Sequence, residues 1–101
     1  MRIIVMLTPT NKYGTKTAYA ELRKFLIKDG YLLLQPEVFM RVENTKKNCI
    51  KHQNRIKQFL PPTGTVRMFI ITEKQYSSCV LCQEEVDLQE EYIGAKDYIA
   101  L

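Results

Sequence analysis

Four short apolar runs of strand character alternate with two stretches of helical spacing in the order strand, helix, strand, strand, helix, strand. That order predicts an α+β domain of the ferredoxin-like βαββαβ type, with extra strand character at the C-terminal end. The first run, Ile3 to Leu7, is apolar at both alternating positions, the pattern of a strand covered on both faces, so it belongs in the middle of the sheet. At 101 residues, 46% apolar and 26% charged, the chain suits one domain with a single modest core.

The elements follow in order. After Leu7 the stretch "TPTNKYGT" is rich in turn residues. Ala18, Leu22, Phe25 and Leu26 then recur at helical spacing with Lys and Arg opposite, and Gly30 supplies a left-handed stop, which predicts a helix over roughly 16–29. "YLLLQ" and "EVFMRV" read as two short strands around Gln35-Pro36, a hairpin-like or sharply bent pair, because proline cannot donate to a ladder. Asn44 or Thr45 can cap a second helix reaching about Leu60. Its inner stripe would be Cys49, His52, Ile56, Phe59 and Leu60, with Lys46, Lys47, Lys51, Arg55 and Lys57 mostly outside, and "PPTG" ends it. "TVRMFIIT" is the fourth strand, "EKQYSSCVLC" a short helix leading into another strand, and "KDYIAL" a last strand. The expected organisation is a core over residues 1–76 and a strand-bearing acidic tail over 77–101 that docks on a second protomer or another partner. A four-stranded sheet with both helices on one side leaves its other face open, and the tail strands plus a second protomer are the natural cover.

The charge is divided along the chain. Residues 1–76 hold fourteen of the fifteen Lys and Arg against five acids, a formal +9, and residues 77–101 hold Lys96 against six acids, a formal −5. A basic body suggests a polyanionic partner. The candidate contacts are Lys12, Lys16, Arg23, Lys24, Arg41, Lys46, Lys47 and Lys51. The last three crowd the start of the second helix, where the macrodipole prefers acids. On two protomers related by a two-fold axis these groups would form a positive track for the phosphates of duplex DNA, positioning it without reading its sequence. Three cysteines without framework spacing fit a reducing compartment, and the five-residue apolar start is too short for a membrane span or signal core, so the expected location is the cytoplasm.

The remaining chemistry is sparse. Cys79-x-x-Cys82 could join Cys49-x-x-His52 as a zinc set, yet Cys49 and His52 fall on the apolar stripe, where a buried thiol or a core histidine is the commoner outcome. His52 is the one histidine, no serine or cysteine near it has an orienting acid, and the four glycines are scattered. Neither a nucleophile site nor a phosphate loop is supported, and no cofactor is expected.

"MRIIVM", "RKFLIKDGY" (23–31), "VFMRV" (38–42) and "LPPTGTVRMFIITEKQY" (60–76), the last containing "PPxGxVRxxxxTEKQY", resemble the CRISPR-associated Cas-two family, especially members from systems with a single large effector nuclease. The resemblance implies a ferredoxin-like homodimer with facing sheets and C-terminal strands that cross to the partner. It also implies a place between two dimers of the CRISPR integrase, with which it captures foreign DNA for insertion into the array. Some members of that family have been assigned metal-dependent nuclease activity. Where the family usually reads Met, Phe, Asp, any residue, Pro, Thr, this chain reads Met6, Leu7, Thr8, Pro9, Thr10, and so lacks the proposed metal-binding Asp. A neutral hydroxyl is a poor ligand for a hard divalent cation and no general base near neutrality. Glu37, where the family commonly has serine after an aromatic, could restore a carboxylate from the neighbouring strand, and Mg²⁺ would be needed only if nuclease activity is retained. The expected function is a non-catalytic, dimeric DNA-binding scaffold of the spacer-acquisition complex. The alternatives are a metal-dependent endonuclease on RNA or DNA, and a single-stranded RNA module stacking bases on Tyr31, Phe39 and Phe69.

Overall fold

The structure, a computed structural model, describes residues 1–10 and 15–84. The expected strand at "KDYIAL", the acidic tail beyond Glu84 and Lys12 lie outside the described residues. Strand β1 (Arg2–Thr8) is followed by α1 (Thr15–Lys28), β2 (Leu32–Gln35), β3 (Val38–Val42), α2 (Lys46–Ile56), a 3-10 turn (Lys57–Phe59), β4 (Thr65–Ile71) and α3 (Glu73–Ser77). The strands form one sheet in the order β2-β3-β1-β4 with every neighbouring pair antiparallel, the ferredoxin-like arrangement predicted from the element order.

The two parities of β1 explain why it is central. Ile3, Val5 and Leu7 point into a core built with Tyr19, Leu22 and Leu26 of α1 and Cys49 and Ile56 of α2, so both helices cover the same face of the sheet. Ile4 and Met6 point to the other face, where Ile4 stands opposite Met40 of β3 and Phe69 of β4. That second face is only partly covered: Ile4 and Met40 are buried, whereas Leu32, Val42 and Phe69 are exposed. Such an apolar, open face is what the element count predicts.

Helix ends follow local chemistry. At the end of α1 the Tyr31 N–H donates to the Leu26 carbonyl (2.9 Å) and the Gly30 N–H to that of Ile27 (3.1 Å). This Schellman closure needs the positive φ of Gly30, +93°. Thr45 caps α2, its hydroxyl accepting from the Asn48 N–H at 3.2 Å. The helix stops at Ile56, sooner than its periodicity suggests, because Pro61 forces Leu60 into extended backbone (φ −68°, ψ 129°) and the intervening residues tighten into the 3-10 turn. Phe59 and Leu60 are consequently exposed, although the Phe59 ring stacks on Phe25 at 4.2 Å. "EKQYSSCVLC" does yield a short helix, but no strand follows it through Glu84.

The aromatic platform expected for single-stranded RNA is not formed. Tyr31 and Phe39 lie in the core, 2% and 3% exposed, while Phe69 is on the exposed opposite face. Val5, on the helix-covered side of β1, pairs with Phe39, whereas Ile4, on the open side, pairs with Phe69; alternation along the strands separates the rings.

The Tyr31 hydroxyl is buried without a hydrogen-bond partner among the described residues, and burial pushes its pKa above the usual tyrosine range. Tyr31→Phe removes the unsatisfied group and keeps the ring. Urea denaturation is expected to show unchanged or higher stability, by up to about 1 kcal/mol. A clear loss would mean that the hydroxyl holds a buried water.

Candidate functional site

The carboxyl end of β1, where the resemblance would place a metal-binding Asp, is built from hydroxyls. Thr8 is exposed and pairs with Thr65 across the sheet. Thr10 and Thr15 both reach the Thr63 hydroxyl, at 2.9 and 2.6 Å, and the Tyr19 hydroxyl donates to the Thr63 carbonyl at 2.8 Å. These contacts pin the "PPTG" loop against the strand end. The loop needs Gly64 there, at φ +84°, because a Cβ would meet the Thr8 carbonyl oxygen at 2.6 Å and the Tyr19 hydroxyl. Hydroxyls engaged with one another supply no carboxylate, and so make a poor site for a hard divalent cation.

Glu37 adjoins β1 through its backbone, the Leu7 N–H donating to its carbonyl at 2.8 Å, and adopts a left-handed φ of +67° in the β2–β3 turn. Its carboxylate, however, is taken by Arg23 of α1. Nε donates to Oε1 at 2.8 Å and Nη2 to Oε2 at 2.7 Å, a bidentate pair that compensates its charge. The suggested zinc ligands are likewise not brought together. Cys49 and His52 are buried on α2, Cys79 and Cys82 are exposed beyond α3, and both ring nitrogens of His52 face carboxylates. Among the described residues no three His, Cys, Asp or Glu side chains are grouped to hold a metal ion.

The candidate cations divide into two sets. Arg23 and Arg41 are internal ties: Arg41 donates from Nε to Glu43 Oε1 at 2.9 Å and from Nη1 to the Asp29 carbonyl. The Arg41 hydrogen bond, helped by the nearby His52, holds the Glu43 carboxyl below the usual carboxylate range against the opposing effect of desolvation. Lys16 and Lys24 on α1 and Lys46, Lys47 and Lys51 on α2 are exposed, and none has a carboxylate partner among the described residues. Because α1 and α2 cover the same face of the sheet, these five ammonium groups share the helical layer, opposite the apolar open face.

The "TEKQY" signature has a structural role that its pattern only partly announces. Thr72 and Gln75 close a capping box, each side chain bonding the other's backbone N–H (3.1 and 2.8 Å), a relation legible from the T-x-x-Q spacing. Glu73 receives Arg2 Nε at 2.9 Å and Nη2 at 3.1 Å, and the Arg2 guanidinium lies 3.8 Å over the Tyr76 ring. The Arg2 hydrogen bond draws the Glu73 carboxyl below the usual range. These long-range partners leave no local signal, and neither does the buried pairing of Asp29 with His52.

A family model described as "CRISPR associated protein Cas2" matches residues 7–79. The chain is similar to "CRISPR-associated endoribonuclease Cas2" of Acidovorax ebreus, 34% identical over 96 residues that cover 94% of each chain. It is also similar to the proteins of that name from Lacticaseibacillus rhamnosus (37% identical, covering 77% of this chain and 78% of the relative) and Ligilactobacillus salivarius (36%, covering 76% and 77%). No helix among the described residues is long and apolar enough to cross a membrane.

Thiol labelling of the native protein is expected to modify Cys79 and Cys82 rapidly and Cys49 only after unfolding, since burial both shields the Cys49 thiol and pushes its pKa up; three equally fast thiols would contradict the packing of α2. Glu43 ionises more readily folded than unfolded, so its contribution to stability is present above the ordinary carboxylate range and is lost as pH falls through its lowered folded value. Glu43→Gln is therefore expected to be less stable than wild type at neutral pH and to lose less stability on acidification, measured as urea midpoints from pH 7 to pH 3.

Proposed function

This chain belongs to the CRISPR-associated protein Cas2 family, and from that premise we propose that it is a non-catalytic, dimeric, DNA-binding scaffold for CRISPR adaptation. Two copies pack their open sheet faces together, and the helical layers face outward on either side of the two-fold axis. The observations that carry this reading are the exposed apolar side chains of the open sheet face and, on the helical layer, five exposed lysines without carboxylate partners among the described residues. Burying Leu32, Val42 and Phe69 in the dimer removes apolar area from water and presents both lysine sets to a duplex backbone. The CRISPR integrase subunit, flanking this dimer in the cytoplasm, supplies the bond-making chemistry.

The threonines at the end of β1 and the engagement of Glu37 by Arg23 support a non-catalytic role. The reading with a competing claim is a metal-dependent endonuclease, because the curated relatives carry the name endoribonuclease.

Duplex binding is expected to be independent of sequence, with log affinity falling linearly against log salt by about 0.9 per neutralised phosphate. Replacing Lys46, Lys47 and Lys51 by Ala, six ammonium groups in the dimer, should flatten that slope by up to about 5.4. Light scattering should report a dimer, and an adjacent integrase should co-purify. Salt-insensitive binding, or a monomer at every concentration, defeats the scaffold. Mg²⁺- or Mn²⁺-dependent cleavage of RNA or DNA that disappears in Glu37→Ala would establish the nuclease instead.

A further inference from the structure

Cys79 and Cys82 are free and exposed, three positions apart on the chain that leaves α3, whereas the third thiol, Cys49, is buried in the core. The backbone at Cys79 is anchored. Its N–H donates to the Tyr76 carbonyl at 2.9 Å, and the Ser77 and Ser78 hydroxyls donate to the Lys74 and Gln75 carbonyls at 2.7 and 2.6 Å, so the end of α3 is closed by its own side chains. Beyond Cys79 the character changes. Residues 80–84 form no turn or bend and make no backbone hydrogen bond among the described residues.

That straight path has a chemical consequence. Three unturned steps along a chain separate Cα atoms by about 10 Å, whereas a disulfide holds them within about 7 Å. The two thiols therefore stay apart while the segment is extended. Bending it costs little: no ladder bond breaks, and Val80 and Leu81, 75% and 66% exposed, leave no core behind. The Cys82 sulfur already turns back along the chain, 3.9 Å from the Val80 carbonyl.

We propose that Cys79 and Cys82 are a redox site for a low-molecular-weight disulfide, kept as two thiols by the extended segment and closed into an internal disulfide by exchange. In the first exchange one protein thiolate attacks the small disulfide, forms a mixed disulfide and releases one small thiol. In the second, the other protein thiolate attacks the protein sulfur of that bond, forms the internal disulfide and releases the second small thiol. The protein loses two electrons and two protons, and the small disulfide is reduced to two thiols. Closure turns residues 79–82 into a tight loop and withdraws Val80 and Leu81 from the cleft of about 440 Å³ that they line with Leu34 and Gln35 of β2. Apolar surface beside the sheet edge is thereby rearranged, which weakens the pairing of two copies. That consequence rests on the dimer reading above; the thiol chemistry does not.

Glutathione disulfide, added to the reduced full-length protein, is the probe, with intact mass and peptide mapping as the readout. Wild type is expected to lose the mass of two hydrogen atoms and to carry one bond between Cys79 and Cys82. Cys79→Ser and Cys82→Ser should each stop at a mixed glutathione disulfide, and Cys49→Ser should close as wild type does. A wild type that accumulates mixed disulfides without the internal bond, or a bond that includes Cys49, overturns the proposal. By light scattering, the oxidised dimer should dissociate at concentrations on the order of tenfold higher than the reduced one, reversibly with dithiothreitol. Equally tight dimers in both states overturn the coupling to assembly. A chain that is monomeric in both states sinks the dimer reading, while the mass measurements still decide the redox site.

Discussion

The double burial of β1 constrains the rest of the fold. Its backbone is paired on both edges, with β3 and with β4, and its side chains are apolar on both faces, so the strand cannot sit at an edge or face water. Placing it centrally forces the helical connections to pass over one face, because each joins two strands separated by a third. Ile3, Val5 and Leu7 then have α1 and α2 above them, and truncating any one of these side chains would cost a few kcal/mol, roughly 2–5 for an isoleucine or leucine cut to alanine. The opposite parity, Ile4 and Met6, is left on a sheet face that two helices cannot reach.

That asymmetry separates the surface into two kinds of chemistry. The helical layer carries its cations outward, because the inward stripes of α1 and α2 are already occupied by Tyr19, Leu22, Leu26, Cys49 and Ile56. The open face keeps exposed apolar side chains beside Arg2, whose guanidinium lies against the Met40 sulfur and over Tyr76. A polyanion and an apolar partner can thus be served from opposite sides of one small domain without competing for the same area.

The charged groups that could do chemistry are mostly held by one another. Glu37 is closed on Arg23, Glu73 on Arg2, and Glu43 and Asp29 on Arg41, Arg55 and His52. A carboxylate with two strong donors is a poor base and a poor metal ligand, because both roles need lone pairs that are already engaged. At the end of β1 the threonine hydroxyls bond to each other and so serve to fasten the "PPTG" loop. The lysines of α1 and α2 that lack carboxylate partners among the described residues are peripheral, suited to attracting a backbone rather than to breaking one.

Sequence by itself determined the order of elements, the central place of β1, the Gly30 stop, the Thr45 cap and the basic character of α2. Each of these is a local matter of apolar period, backbone freedom or a side chain reaching its own backbone a few residues away. Its reading of α2 ran past the helix end because the apolar period continued through Phe59 and Leu60, while the proline at 61 acts through backbone geometry that a period does not register. Its stacking platform failed because three aromatic residues were grouped by type, and alternation in the strands puts two of them in the core and one outside. Only the tertiary structure decided which charges stay available. Arg23 and Lys24 are neighbours in sequence, yet one meets Glu37 across the β2–β3 turn and the other meets solvent, because partners fourteen or more residues away are chosen by how helices settle on the sheet.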